Sequence, residues 1–375
     1  MKKILMGTTA IIALATFTSE AAAAEKISLG LGGFQRAYAA KVTRQEASPK
    51  AHMKMGAWTN TEVHVKGSTT LDNGVTVSTR IEFEADGSAN SHKHRIDTAG
   101  GATATNSAAS GSRGTDESSL TISSDAMGAV TVGATSGAGD KMAIGAPAIG
   151  PNGLFSGGGG VEGLDGADFA WSANGTGVSD DMSVKAVYMS PDFNGVTVGL
   201  SFTPGEGFGG ESNGKAVRND QSEDGFQAAV AYSGEMSGAA VDVALVHEFN
   251  NKSNVTSNGI GVNVGMNGIT VGGSYWDQND NQTNGTALDG SAYDLGVAYE
   301  SGAMSVAVSY GHATSKGGNT VGVDNKDTMW SIGAGYDLGA GVGLVAQYYS
   351  AKADSDATTA AVTSKAFIAG IEVGF

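Results

Sequence analysis

The sequence predicts an all-β fold, a closed antiparallel transmembrane β-barrel of sixteen strands. Three observations predict it: apolar and polar residues alternate with a period of two, short turns alternate with long polar connections, and the last strand ends on an aromatic residue. The composition agrees, because the 375 residues include 58 Gly, 5 Pro and no Cys. The absence of cysteine excludes a disulfide scaffold and thiolate metal sites, and the net charge of −16 argues against a nucleic-acid partner.

The N-terminal residues have the composition of an export signal. Lys2 and Lys3 precede an apolar stretch over 4–17, and the small residues Ala22 and Ala24 fit a cleavage site. We therefore expect residues 1–24 to be a signal peptide and residues 25–375 to be the barrel domain of an exported bacterial protein. The chain has no apolar run of about 18 residues, the length that a helical membrane span requires.

The period-two alternation is clearest over 74–84. Val75, Val77, Ile81 and Phe83 fall on one face, whereas Thr, Ser, Arg and Glu fall on the other. Elsewhere too the second face carries polar residues and glycine, which do not form a hydrophobic layer. We expect the apolar face to contact lipid and the polar face to line a water-filled channel. A secreted soluble β-protein shows the same alternation and stays an alternative.

The connections predict the number of strands. Seven short turns rich in Gly, Asn and Asp alternate with eight long polar stretches, which makes fifteen connections and sixteen strands. Short turns on one side and long loops on the other are typical of outer-membrane barrels. The longest stretch is the third long connection, over 136–180.

Aromatic residues on the apolar face lie near the predicted strand ends. An aromatic girdle meets the membrane interface at such positions. The last strand is among the best patterned, as expected if it pairs with the first strand and closes the barrel. The predicted interface aromatics are Tyr188, Tyr232, Tyr275, Tyr299, Tyr310, Tyr336, Tyr348 and Phe375.

Several segments resemble the general bacterial porins, in particular those of alphaproteobacteria. They are the start of the mature chain over 26–34, the hairpin over 62–77, the stretch 184–204 and the terminal Phe375. The resemblance implies a sixteen-stranded barrel, usually a homotrimer, whose long third loop folds into the lumen and narrows it. It implies passive diffusion of ions and small hydrophilic solutes, without a cofactor.

The same resemblance implies a location and partners. The protein is expected in the outer membrane of a Gram-negative bacterium, in contact with the lipid bilayer and lipopolysaccharide. Its C-terminal strand is expected to engage the barrel-assembly machinery. No nucleic-acid partner is expected.

Charged residues predict where the channel narrows. A field between acids of the folded-in loop and bases of the wall would orient water and solutes, and rings of charge set ion preference. The acidic net charge predicts a preference for cations, and we expect Arg80 and Asp165 to matter most. The acidic candidates are Asp140, Glu162, Asp165 and Asp168, and the basic wall candidates are Arg36, Arg80 and Lys185.

Metal sites have weak support in the sequence. His92 and His94 flank the cationic Lys93, and the other histidines, including His64, lack zinc spacing. No metal site is therefore expected. Calcium bound to an acidic loop stays open as an alternative.

Other functions have less support than a diffusion channel. No catalytic motif is present, so an enzyme is not expected, although an outer-membrane hydrolase would carry its residues on separate strands. A substrate-specific channel would be marked by inward aromatics, which by strand phase are few: Phe34, Trp58 and Trp276. A surface adhesin or structural barrel without significant transport is the remaining alternative.

Overall fold

The structure, a computed structural model, describes residues 26–45, 55–85, 115, 117–151, 183–206, 223–251, 254–280, 289–316, 324–355 and 361–375. The predicted signal peptide, residues 1–24, lies outside these ranges. The described residues form sixteen strands and one short helix, α1 (Ala138–Met142), between β5 and β6. In this part of the chain, no helix is long and apolar enough to cross a lipid bilayer. The strands are β1 (Ser28–Gln45), β2 (Met55–Thr70), β3 (Thr76–Glu84), β4 (Ser118–Ser124), β5 (Gly128–Ala134), β6 (Val184–Met189), β7 (Val196–Glu206), β8 (Glu223–Met236), β9 (Ala239–Asn250), β10 (Val255–Met266), β11 (Ile269–Asp280), β12 (Gly290–Ser301), β13 (Met304–Lys316), β14 (Asp324–Gly339), β15 (Val342–Ser355) and β16 (Val362–Gly374).

The strands form one closed antiparallel barrel, which confirms the predicted architecture. Each strand pairs with its neighbours in chain order, and β1 pairs with β16 to close the wall. The seam continues beyond the strands: Gly33 N donates to the Phe375 carbonyl oxygen at 2.9 Å, and Phe375 N donates to the Gly33 carbonyl oxygen at 3.1 Å. Each of the sixteen described strands therefore has two partners. A bilayer requires this, because hydrocarbon offers no partners to a free strand edge.

The two faces of the wall differ as the alternation predicts. On β12, Tyr293, Leu295 and Val297 are exposed on the outer face, whereas Ala292 and Asp294, at alternate positions, point inward and are buried. The other strands follow the same phase across the register, so the apolar stripes face the outside of the barrel. A soluble β-sandwich would instead bury those stripes between two sheets.

The inward face is less uniformly polar than the sequence predicts. Trp276, Tyr349 and Ile368 point inward and are buried, and they belong to one cluster with Met142 and Ala146. Strand phase predicts the inward direction of Trp276, but it does not predict that inward side chains form an apolar cluster. Part of this face packs against chain that lies inside the barrel instead of facing water.

Several strands are longer than predicted at the ends joined by long connections. β1 continues to Gln45 and β11 to Asp280, although the sequence predicts loops from 41 and from 276. Beyond the membrane both faces of a strand meet polar surroundings, so the alternation fades while the ladder of backbone hydrogen bonds continues. The short turns are tight: Asn267 and Gly268, between β10 and β11, have φ of 52° and 82°, as in a type I′ hairpin.

Candidate channel wall and constriction

Part of the third long connection lies inside the barrel. We call residues 135–151, which follow β5 and include α1, the inner segment. It contacts inward-facing residues from Lys185 on β6 to Gln347 on β15. Residues 152–182 lie outside the described residues, so the course of the whole loop stays a prediction.

Lys185 fixes the entry of the inner segment. Its side chain points inward but is only 1% exposed, and its Nζ donates to the Thr135 carbonyl oxygen at 2.7 Å. The Thr135 hydroxyl donates to Glu117 Oε1 at 2.9 Å and accepts from Lys141 Nζ at 3.1 Å. The predicted wall base Lys185 thus lies beneath the inner segment and holds it to the wall.

The helix α1 is docked on β8 through Gln227. Gly139 N donates to Gln227 Oε1 at 2.8 Å. Asp140, one of the predicted constriction acids, accepts from Gly137 N and from Gln227 Nε2, both at 3.1 Å. These bonds satisfy first-turn amides that have no partner within the helix, and they use the Asp140 carboxylate for attachment.

A second anchor holds the inner segment beyond α1. Asp294 Oδ1 accepts from Ala146 N at 3.0 Å and from Ser274 N at 2.6 Å. Asn263 Nδ2 donates to the Gly145 carbonyl oxygen at 3.2 Å. Polar side chains of β10 and β12 thus replace water as partners of the segment's backbone.

Glycines on the inward face of the wall make room for the inner segment. A Cβ built at Gly261 would lie 2.0 Å from the Ile144 carbonyl oxygen, and one at Gly333 would lie 1.8 Å from that of Ile149. These glycines do not have positive φ, so the requirement is steric rather than conformational. We call this set the glycine track: Gly199, Gly261, Gly296 and Gly333.

An ionic network covers the inward face of β2 and β3. Arg80, a predicted wall base, pairs with Glu82 and, through Nε, with Glu117 Oε2 at 3.1 Å. His64 Nε2 lies 3.0 Å from Glu62 Oε2 and 3.4 Å from Glu82 Oε1. The positive charge of Arg80 is therefore compensated by carboxylates on the same side of the wall.

Arg36, the third predicted wall base, packs its guanidinium over an aromatic ring. Its guanidinium carbon lies 3.9 Å from the centroid of the Phe34 ring. Glu372 is its cross-strand neighbour on β16 and accepts a hydrogen bond from the Tyr38 hydroxyl at 2.6 Å. The ring contact and the adjacent carboxylate both stabilise the guanidinium at this position.

The other predicted constriction acids, Glu162, Asp165 and Asp168, lie outside the described residues. Sequence reasoning missed Glu82 and Glu117 as partners of Arg80. The signal for Glu82 was present, because it follows Arg80 by two residues and shares its face of a strand. Glu117 precedes β4, and only the β3–β4 register brings it beside Arg80.

The predicted interface aromatics lie on the outer face at two heights. On β12, Tyr293 and Tyr299 are about 20 Å apart along the strand, a separation comparable with the apolar band of membrane barrels. Rings on neighbouring strands contact each other: the Trp330 and Tyr348 centroids are 5.3 Å apart. Near the short turns lie Tyr188, Tyr232, Tyr299, Tyr336 and Phe375, and five or more residues into their strands from the short turns lie Tyr275, Tyr310 and Tyr348.

Comparison with known proteins places this architecture in a family. A family model described as Gram-negative porin matches residues 8–356. A search of curated proteins finds no match. Among solved structures, a loop L8 deletion mutant of OmpT, an outer membrane protein of Vibrio cholerae, is 13% identical with a TM-score of 0.62, covering 94% of this chain and 100% of that chain.

Two further structures have the same fold. The anion-selective porin from Comamonas acidovorans is 16% identical with a TM-score of 0.61, covering 93% of this chain and 100% of that chain. A trimer form of Vibrio cholerae OmpT is 13% identical with a TM-score of 0.60, covering 94% and 100%. At such identities the structures establish the fold, and the family model, which matches most of the chain, establishes the family. The chain belongs to the Gram-negative porin family, and the protein is a β-barrel of the bacterial outer membrane.

Proposed function

We propose that the protein is a passive channel through which ions and small hydrophilic solutes diffuse, with a preference for cations. The observation that carries the proposal is a closed wall that is apolar outside and charged inside. Solutes move down their gradients, so passage needs neither a cofactor nor an energy source. Membership of the porin family favours a channel over an enzyme.

The charge of the inward face supports the preference for cations. In the described part of the chain, the buried charged side chains that point inward are four carboxylates and the ammonium of Lys185, and Arg80 pairs with one of these carboxylates, Glu82. An excess of carboxylates gives the lumen a negative potential, which attracts cations. The Comamonas acidovorans porin has the same fold and is anion-selective, so wall residues set the sign. The four carboxylates are Glu82, Glu248, Asp294 and Asp327.

Conductance across a planar lipid bilayer tests this function. We expect discrete conductance steps and, in a salt gradient, a reversal potential of the sign that cation flow produces. Zero conductance from purified, correctly folded protein would overturn the channel and favour a structural or adhesive barrel. Conductance that saturates with one solute would favour a substrate-specific channel.

Arg80→Ala tests the contribution of the wall. Without the guanidinium, Glu82 and Glu117 lose their cationic partner, so we expect the reversal potential to move toward ideal cation selectivity. Lys352→Ala, which removes an exposed cation outside the lumen, is the matched control and should leave the potential unchanged. Asp165→Asn should move the potential in the opposite direction. Unchanged potentials in both Arg80→Ala and Asp165→Asn would place the selectivity elsewhere.

We further infer that three barrels associate as a homotrimer. The Vibrio cholerae relative has a trimer form. Small outward side chains on β1, β2 and β16 support close approach of a second barrel: Ala37, Ala39, Ala57 and Ala369. Light scattering in detergent should give three times the protomer mass. A monomer at every protein concentration would overturn the inference.

Assembly and the lipid environment complete the proposal. Phe367, Ile371 and Phe375 point outward at the C-terminal end of the chain. We infer that the barrel-assembly machinery binds this pattern before β1 and β16 pair. A peptide of residues 362–375 should compete with the full chain for that machinery, and a scrambled peptide should not. Lipopolysaccharide is the expected lipid neighbour on the side of the long loops, which copurification with folded protein would reveal.

A further inference from the structure

We propose that Glu62, His64 and Glu82 form a binding site for a divalent transition-metal ion of the Zn²⁺ class on the inner wall. The three side chains project from adjacent strands, and the β2–β3 register places His64 opposite Glu82. One imidazole nitrogen and two carboxylate oxygens all lie within 4.8 Å of one another. Nitrogen and oxygen ligands of this kind hold zinc in sites that keep a position open for water.

The distances suit a first coordination shell. His64 Nε2 lies 3.0 Å from Glu62 Oε2 and 3.4 Å from Glu82 Oε1. Ligands about 2.0–2.2 Å from a tetrahedral Zn²⁺ are separated from each other by about 3.3–3.6 Å. Two of the three separations are therefore near the required value, and a small rotation of either carboxylate adjusts the third.

The local charge also favours a dication. The cluster and its ion-paired neighbours contain the carboxylates of Glu62, Glu82 and Glu117 and the guanidinium of Arg80. With His64 neutral, as metal binding requires, this set carries two net negative charges. A divalent ion neutralises them. Arg80 Nε donates at 2.6 Å to Glu82 Oε1, the same oxygen that lies 3.4 Å from His64 Nε2, so metal binding must replace this hydrogen bond. Glu117 Oε2, 3.1 Å from Arg80 Nε, then stays as the carboxylate partner of the guanidinium.

The surroundings hold the imidazole without sealing the site. The Phe34 ring meets the His64 ring edge-on, with centroids 6.0 Å apart and an interplanar angle of 85°. The side chains of His64, Glu62 and Glu82 are 13%, 15% and 6% exposed, so an ion from the lumen reaches them while bulk water screens them weakly. Lys66, the next charged residue along this face of β2, is exposed to water.

The sequence did not indicate this site, because its ligands come from two different strands. Glu62 and His64 are two residues apart, which matches no zinc motif, and Glu82 joins them only through the register. A bound ion adds two positive charges to a wall rich in carboxylates, so it is expected to weaken the preference for cations. That consequence rests on the proposed function, whereas the binding itself does not.

Isothermal titration calorimetry of folded protein with Zn²⁺ tests the site. We expect one ion per protomer, and affinity weakened by about tenfold or more in His64→Gln. His247→Gln is the matched control, because that ring lies on the outer face and contacts Asn258 Oδ1 at 2.8 Å. Glu82→Gln should also weaken binding, whereas Asp242→Asn, a carboxylate change nearer the short turns, should not.

Co²⁺ supplies a second measurement that needs no channel activity. We expect the visible absorption of a low-coordinate Co²⁺ site in the wild type and its loss in His64→Gln, with both proteins showing the same heat-stable barrel. Equal Zn²⁺ affinity in these two proteins, or a preference for Ca²⁺ over Zn²⁺, would overturn the proposal, since Ca²⁺ prefers oxygen ligands alone. Zn²⁺ binding without conductance would refute the channel and leave the metal site intact.

Discussion

The substitution Gly333→Ala tests how the inner segment is held. A Cβ at this position would lie 1.8 Å from the Ile149 carbonyl oxygen and 2.6 Å from its carbonyl carbon. Ordinary van der Waals contact requires more than 3 Å, so the segment must move by about 1.2 Å or more. The strand does not resist the change, because Gly333 does not have positive φ.

The cost of this displacement falls on the inner segment. Adding a carbon to a packed contact costs about 1–3 kcal/mol. The Ala146 amide, bonded to Asp294 at 3.0 Å, reports whether the segment opens. We expect that amide to exchange about 5- to 150-fold faster in the variant, the factor that corresponds to this energy.

Hydrogen–deuterium exchange with mass spectrometry, on a peptide covering 143–150, measures the effect. Gly343→Ala is the matched control, because this glycine also points inward and its nearest neighbour, the Tyr336 carbonyl oxygen, lies 3.9 Å from a built Cβ. The control should exchange like the wild type. Wild-type exchange in Gly333→Ala would refute the seating of the inner segment on the glycine track.

Two other contacts lend themselves to the same kind of test. Lys185→Met removes the donor to the buried Thr135 carbonyl oxygen, so we expect a loss of about 1–3 kcal/mol in the free energy of unfolding. Denaturant titration measures it, with the exposed Lys352→Met as control, and an unchanged midpoint would contradict an anchoring role. Deleting Phe375 removes both of its backbone bonds to Gly33, so we expect a lower yield of heat-stable barrel on refolding. Phe375→Ala keeps those backbone bonds and removes only the ring, so it distinguishes the effect of the ring from that of the bonds. Equal yields from the deletion and the full chain would contradict a role of these bonds in closing the barrel.

The barrel wall was predictable because contact with lipid requires apolar residues at every second position of each strand separately. The outward direction of Leu295 and Val297 follows from the alternation along β12 alone. The Asn267–Gly268 pair predicts a tight hairpin turn, because Asn and Gly tolerate positive φ. The number of strands follows from such local signals. The ends of β1 and β11 cannot be predicted in this way, because a strand that extends beyond the membrane has no apolar stripe.

The interior was less predictable because its contacts join distant parts of the chain. The inward direction of Lys185 follows from strand phase, but its burial depends on Thr135, fifty residues earlier. The bond between Gln227 and Gly139 likewise spans 88 residues. Spacing along one strand also says nothing about His64 and Glu82, which meet across two.

The seam between β1 and β16 imposes an order of events on biogenesis. A chain that emerges from its N-terminus delivers β1 first and β16 last, so the cylinder closes only after the final residues have arrived. We expect a truncated product to leave an open sheet with two unpaired edge strands, which can pair with other chains. Insertions and deletions are therefore best accommodated between strands, away from the two that meet last.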